Sequence, residues 1–116
     1  IPYLKRRGAG KIITIGSGLG HRGRVGRSAY ACAKAGLWML TRVLAQELAQ
    51  DNISVNELIP GPVETGVISE DFRRNMTAAG EWFKTPEDVA PLALFLATQP
   101  DIGPTAQSYS LMRRDT

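Results

Sequence analysis

An α/β fold built on parallel strands is predicted by three features of this sequence. Residues 11–16 form an isoleucine-rich run, a long stretch from Ser28 carries a helical apolar stripe, and a second apolar run follows at Ile53–Ile59. Strand, helix and strand in that order make one right-handed crossover unit. Short, apolar strands of this kind are the ones a parallel sheet buries.

The elements follow in order. The run 11–16 leads into Gly16-Ser17-Gly18-Leu19-Gly20, which contains a G-x-G. The stretch after it is long and basic, with no helix opening directly on it. It therefore reads as a turn presenting Ser17, not as a loop cradling a pyrophosphate. The helix begins at Ser28 or Ala29, its stripe is Ala33, Leu37, Leu40, Leu44 and Leu48, and Asp51-Asn52 closes it. Ile53–Ile59 is the second strand. Residues 66–84 are polar and glycine-containing, with two short helical patterns, one at 70–76. This segment reads either as a substrate lid or as an ordinary surface excursion. Trp82 and Phe83 either line a pocket or anchor the segment. Thr85 is a helix N-cap, with Pro86 at the first helical position and Asp88 completing a capping-box pattern. That helix runs to Ala97 or Thr98, and 107–111 is the last strand.

The chemistry centres on Ser17, Tyr30 and Lys34. The spacing Tyr30-x-x-x-Lys34 puts a phenol and an ammonium one helical turn apart on the same face. A tyrosine ordinarily titrates near pH ~10, and an ammonium within about 4–6 Å stabilises its phenolate. Such a pair gives a proton to an alkoxide or takes one from an alcohol. Ser17, just past the first strand, supplies a donor for a developing oxyanion. None of these groups carries a hydride, so redox chemistry here requires an organic cofactor. Ligands of open α/β sheets bind beyond the carboxyl ends of strands, where both Ser17 and residues 60–65 fall.

The run GKIITIGSGLG, then Tyr30-Ala31-Cys32-Ala33-Lys34-Ala35-Gly36 and Leu40-Thr41-Arg42-Val43-Leu44-Ala45-Gln46-Glu47-Leu48, resembles the active-site half of a short-chain dehydrogenase/reductase. The likeness continues through Ile53-Ser54-Val55-Asn56 and Ile59-Pro60-Gly61-Pro62-Val63-Glu64-Thr65, and resumes at Thr85-Pro86-Glu87-Asp88-Val89-Ala90. The resemblance implies the C-terminal part of a doubly wound, Rossmann-like domain. Residues 1–116 would be its catalytic half, without the strand, glycine-rich turn and helix that hold the cofactor's phosphates. It implies Tyr30 as acid/base, with Lys34 contacting the nicotinamide ribose and favouring the phenolate, and Ser17 polarising the substrate carbonyl. Pro60, Gly61, Val63 and Thr65 would lie along the nicotinamide, Val63 and Thr65 at its carboxamide. It implies NAD or NADP as cofactor and a carbonyl or secondary alcohol as substrate, as in the 3-oxoacyl-thioester reductases of the family. The resemblance also implies a homo-oligomer, tetramer or dimer, built on the helix after Tyr30. Trp38 and Met39 would then meet a partner or pack in the core. Two departures stand out: Glu57 replaces a small residue after the Val-Asn pair, and the ending Gln107-Ser108-Tyr109-Ser110-Leu111-Met112-Arg113-Arg114-Asp115 lacks a diglycine.

Composition excludes other classes. No stretch approaches a membrane span, and no charged region followed by an apolar run marks a signal peptide, so a cytoplasmic protein is expected. The single Cys32 cannot form an intramolecular disulfide and reads as a packed helix cysteine. His21 reads as an exposed loop residue, with no metal-ligand spacing around it. Fourteen basic against eleven acidic residues give a net charge of +3. Lys5-Arg6-Arg7, then Arg22, Arg24 and Arg27, then Arg113-Arg114 lack the aromatic interleaving and motifs of a nucleic-acid binder. The middle cluster flanks the predicted site, which suits an anionic substrate. Against the enzyme stands a second reading, a non-catalytic truncated fragment that packs or oligomerises without cofactor.

Overall fold

The computed structural model describes residues 1–113. Helix α1 (Pro2–Arg7) leads into strand β1 (Gly10–Ile15), then α2 (Leu19–Arg22) and the long α3 (Ser28–Glu47). A 3₁₀ turn at Ala49–Asp51 precedes β2 (Ile53–Ile59), followed by α4 (Glu70–Ala78), α5 (Pro86–Ala97) and β3 (Ser108–Ser110). The three strands form a parallel sheet in the order β1-β2-β3. This is the α/β, Rossmann-like arrangement that the sequence predicts.

β2 is buried along its whole length, whereas β1, at one edge of the described sheet, is mostly half-buried. Side chains alternate across a strand, so Ile53, Val55 and Glu57 share one face and Ser54, Asn56 and Leu58 the other. α3 packs on the first face: Ala45 and Leu48 join Ile53 and Val55 in the core, with Leu4, Ile12, Leu44 and Ala106 around them. On the second face Asn56 Nδ2 donates to Pro104 O at 2.8 Å, and Lys11 Nζ donates to Ser54 Oγ and to Pro100 O.

The buried line of α3 differs from the predicted stripe. It passes through Leu37, Thr41, Ala45 and Leu48, while Ala33 and Leu40 are exposed. The cause lies at Thr41, whose hydroxyl meets that of Thr14 on β1 at 2.7 Å and donates back to Leu37 O. A small polar side chain thus takes a sheet-facing position that apolar periodicity assigns to leucine. Cys32 is exposed on α3, a correction to the packed reading.

Boundaries elsewhere match to within a residue or two. Asn52 takes a left-handed conformation (φ 57°) that turns the chain from the 3₁₀ segment into β2. Asp88 Oδ2 accepts from both Thr85 N (2.8 Å) and Thr85 Oγ1 (3.0 Å), which secures the start of α5. The turn at 16–20 does open on a helix, the single turn α2, where the sequence reads as loop. Its formation depends on Gly20: a Cβ there would come within 2.7 Å of the Lys34 carbonyl carbon, so only glycine lets α2 lie directly on α3. Among the described residues no helix is long and apolar enough to cross a membrane. Arg114 and Asp115 lie outside them.

Candidate active site

A cavity of about 380 Å³ opens at the carboxyl ends of β1 and β2. Its walls include Ser17 from the turn after β1, Tyr30 and Lys34 from the first turns of α3, and Pro60 and Gly61 from the segment after β2. Five of the seven sequence-predicted site residues therefore share one cavity. Val63 and Thr65 do not line it; Val63 forms an isolated parallel bridge with Lys84.

Local structure explains each placement. Parallel pairing puts Ile15 opposite Leu58, so the turn holding Ser17 and the Pro60-Gly61-Pro62 segment leave the sheet side by side. Ser17 Oγ accepts from Leu19 N at 3.2 Å, which leaves the hydroxyl proton free of that bond. Lys34 Nζ donates to Ile15 O at 3.0 Å, fixing the start of α3 against the end of β1. The same ammonium lies 5.8 Å from the centroid of the Tyr30 ring. Tyr30 itself is half exposed and faces the opening. Gly61 has φ 70°, a conformation that favours glycine, and a side chain there would press on Lys84 and Met112.

The remaining wall divides by chemistry. Leu19, Phe72, Met76 and Met112 are apolar, and Arg22, Arg24 and Arg27 are cationic. No acidic residue lines the cavity among the described residues. Phe72 and Met76 come from α4, whose N-cap Ser69 Oγ accepts from Phe72 N. Arg73 on α4 forms a bidentate pair with Glu64, one bond 2.7 Å long, tying α4 to the segment after β2. That pairing holds the Glu64 carboxyl below its ordinary value, the hydrogen bond from Arg73 being the main cause. Trp82 and Phe83 do not line the cavity. Phe83 meets Phe72 edge-on, and Trp82 O accepts from Lys84 Nζ at 2.8 Å, so both anchor the excursion.

Two buried ionisable groups escape a motif-based reading. Lys84 is fully buried, its ammonium donating to Trp82 O and lying 4.8 Å from the Trp82 ring centroid; burial pushes its titration below the ordinary value. Glu57 is also fully buried. His21 Nε2 lies 2.7 Å from Glu57 Oε1, and its ring sits 5.1 Å from that of Trp38. His21 is exposed, as expected, but stands on α2 and not in a loop, and its ring is held to the sheet through Glu57. No local pattern marks Lys84 or Glu57 as buried: the first stands between Phe83 and Thr85, the second between Asn56 and Leu58. No group of three or more metal-ligating side chains forms among the described residues.

Parallel sheet, covering helices and a strand-end cavity walled by serine, tyrosine and lysine define a dehydrogenase-like domain. The family model for short chain dehydrogenase matches residues 1–75, and the chain belongs to that family. It is 41% identical over 116 residues to a 3-oxoacyl-[acyl-carrier-protein] reductase FabG of Chlamydia pneumoniae, covering 93% of this chain and 46% of that protein. It is 42% identical over 96 residues to carbonyl reductase family member 4 of Xenopus laevis, covering 80% and 40%. A 2-dehydro-3-deoxy-D-gluconate 5-dehydrogenase of Formosa agariphila is 40% identical over 108 residues, covering 85% and 40%. The chain spans less than half the length of these relatives.

Proposed function

We propose that this chain carries the proton-handling part of an NAD(P)-dependent oxidoreductase acting on a carbonyl or secondary alcohol. The observation that carries the reading is the single cavity wall shared by Ser17, Tyr30, Lys34, Pro60 and Gly61. The wall suits the nicotinamide end of a dinucleotide: Lys34 and Tyr30 offer donors to a ribose, and Ile59, Pro60 and Pro62 offer an apolar surface to a ring. Val63 and Thr65, next along the chain, are assigned by the family pattern to the ring's carboxamide. A bound nicotinamide supplies the hydride that none of these side chains can.

In the reducing direction, Ser17 donates to the substrate oxygen and steadies its growing negative charge. Tyr30 delivers its phenolic proton to that oxygen, and Lys34 stabilises the phenolate left behind. Oxidation runs the same proton path backwards. Because the wall carries cations and, among the described residues, no carboxylate, the favoured substrate has an anionic group near its carbonyl. Relatives named for acyl-carrier-protein thioesters and for a sugar acid agree with that charge.

Tyr30→Phe tests the assignment in the full-length protein. Turnover should fall by at least ~100-fold, the range expected for a general acid, while cofactor affinity measured by fluorescence titration is retained. Wild-type turnover in the variant would remove Tyr30 from its role.

A further inference from the structure

Glu57 has no part in the proposed chemistry, yet it is a fully buried carboxylate on the central strand. Its Oε1 accepts two short bonds, from Ser108 Oγ at 2.6 Å and from His21 Nε2 at 2.7 Å. Its Oε2 has no hydrogen-bond partner among the described residues. The carboxylate also fills the space behind Gly16: a Cβ on Gly16 would come within 2.7 Å of Glu57 Cγ and closer still to the carboxylate. Gly16 N in turn donates to Leu58 O at 2.9 Å.

One side chain therefore touches β3 through Ser108, α2 through His21, and the backbone beside Ser17. A buried carboxylate with an unsatisfied oxygen is costly, and an apolar residue of similar volume at such a site is often neutral or stabilising. Stability alone gives no reason for a glutamate here. Geometry does: α2 is a single turn, held on one side by Gly20 against α3 and on the other by the His21–Glu57 bond. Ser17 lies between the two anchored points, Gly16 and α2.

We infer that Glu57 and His21 are positioning residues, a clamp that fixes the turn carrying Ser17 so that its hydroxyl meets the substrate oxygen. The clamp rests on the reading of Ser17 given above for its effect on rate, and on geometry alone for its effect on structure. Misplacing a reacting group by about 1 Å can cost up to ~100-fold in rate. Neither Glu57 nor His21 is among the residues assigned to the cofactor, so its binding is expected to be unchanged.

The test uses Glu57→Met, Glu57→Gln and His21→Ala in the full-length protein, with ethyl acetoacetate and NADPH or NADH as probes. Glu57→Met and His21→Ala should lower kcat about ten- to a hundredfold with the cofactor KM unchanged. Glu57→Gln, whose amide oxygen still accepts from His21 and Ser108, should recover most of the loss. Amide NMR spectra supply a reading without turnover: in Glu57→Met and His21→Ala the Ser17 and Leu19 resonances should move, and in Glu57→Gln they should return towards their original positions. Unmoved Ser17 and Leu19 amides in both disruptive variants would overturn the clamp, whether or not the protein reduces a carbonyl. Moved amides with unchanged kcat in an active enzyme would overturn its positioning role. His21→Ala, altered at a solvent-facing residue, keeps the test open if Glu57→Met does not fold. If the wild-type protein reduces no carbonyl, the functional reading of Ser17 fails, and the amide shifts alone decide whether the clamp exists.

Discussion

Lys84 shows how far a single residue can depart from what its neighbours in sequence suggest. It stands between Phe83 and the helix cap Thr85, and polar character there ordinarily means exposure. Instead the side chain turns inward, and its ammonium donates to Trp82 O and, at 3.4 Å, to Leu111 O. No carboxylate pairs with it among the described residues. Burial disfavours the charged form, and Glu81 and Asp88 offset this only in part. The folded state consequently binds the Lys84 proton less tightly than the unfolded chain does. Charged Lys84 therefore subtracts from stability near neutrality, and the penalty is relieved as pH rises towards the ordinary value of 10.5. Urea melts of wild type and Lys84→Met across that alkaline range should show the wild type gaining on the variant. Parallel curves would mean that burial does not perturb this group. Neither Lys84 nor Glu57 is legible as buried from sequence, because inward orientation of a charge is decided by contacts from remote segments: Leu111 in one case, His21 and Ser108 in the other. Tyr30 and Lys34 were legible because one helical turn is enough to bring them together.

At the scale of elements, the strand–helix–strand unit was readable because its periodicities are local. β2 runs over the residues expected, and α3 starts at Ser28. The face of α3 was misread because Leu40 is apolar and Thr41 is not, while the sheet selects Thr41 for its bond to Thr14. α2 was missed because a single turn carries no periodic signal; it exists through close packing. The glycines of the turn at 16–20 serve that packing, Gly16 over the Glu57 carboxylate and Gly20 on α3. Gly16→Ala is thus predicted to destabilise the protein by about 1–3 kcal/mol, the ordinary cost of overpacking. Chemical denaturation would measure it. Pairing with Glu57→Ala, which empties the same space, should give a loss smaller than the sum of the two single losses. Additive losses would show that the two sites do not touch.

For the whole molecule, the relevant quantity is where its net charge of +3 is carried. The cavity gathers Arg22, Arg24, Arg27 and Lys34, with no lining carboxylate among the described residues. A field of one sign over an active-site mouth raises the local concentration of anions and fades as salt screens it. In the full-length protein, acetoacetate should therefore be reduced with a KM that rises with ionic strength. Its neutral ethyl ester should show little dependence. Arg24→Gln with Arg27→Gln should raise the KM for the acid several-fold, equivalent to about 1 kcal/mol, and leave that of the ester in place. Equal behaviour of acid and ester would remove the charge preference. Clustering of these basic residues near the site was legible in the sequence. Inclusion of Phe72 and Met76 in the same wall was not, since it depends on where α4 folds back.

That return path ends in the parallel bridge between Val63 and Lys84, reinforced where Glu64 N donates to Lys84 O at 2.7 Å and Lys84 N to Pro62 O at 3.0 Å. The bridge closes the excursion at its base, as a clasp closes a necklace, so the sheet meets the same two endpoints whatever lies between them. Residues 66–82 are in this sense a cassette. Evolution or a protein engineer can exchange the segment over the cavity, and with it the roof that Phe72 and Met76 provide, without re-registering β2 or moving the start of α5. A different roof can in this way be set over the cavity while the wall formed by Ser17, Tyr30 and Lys34 stays in place.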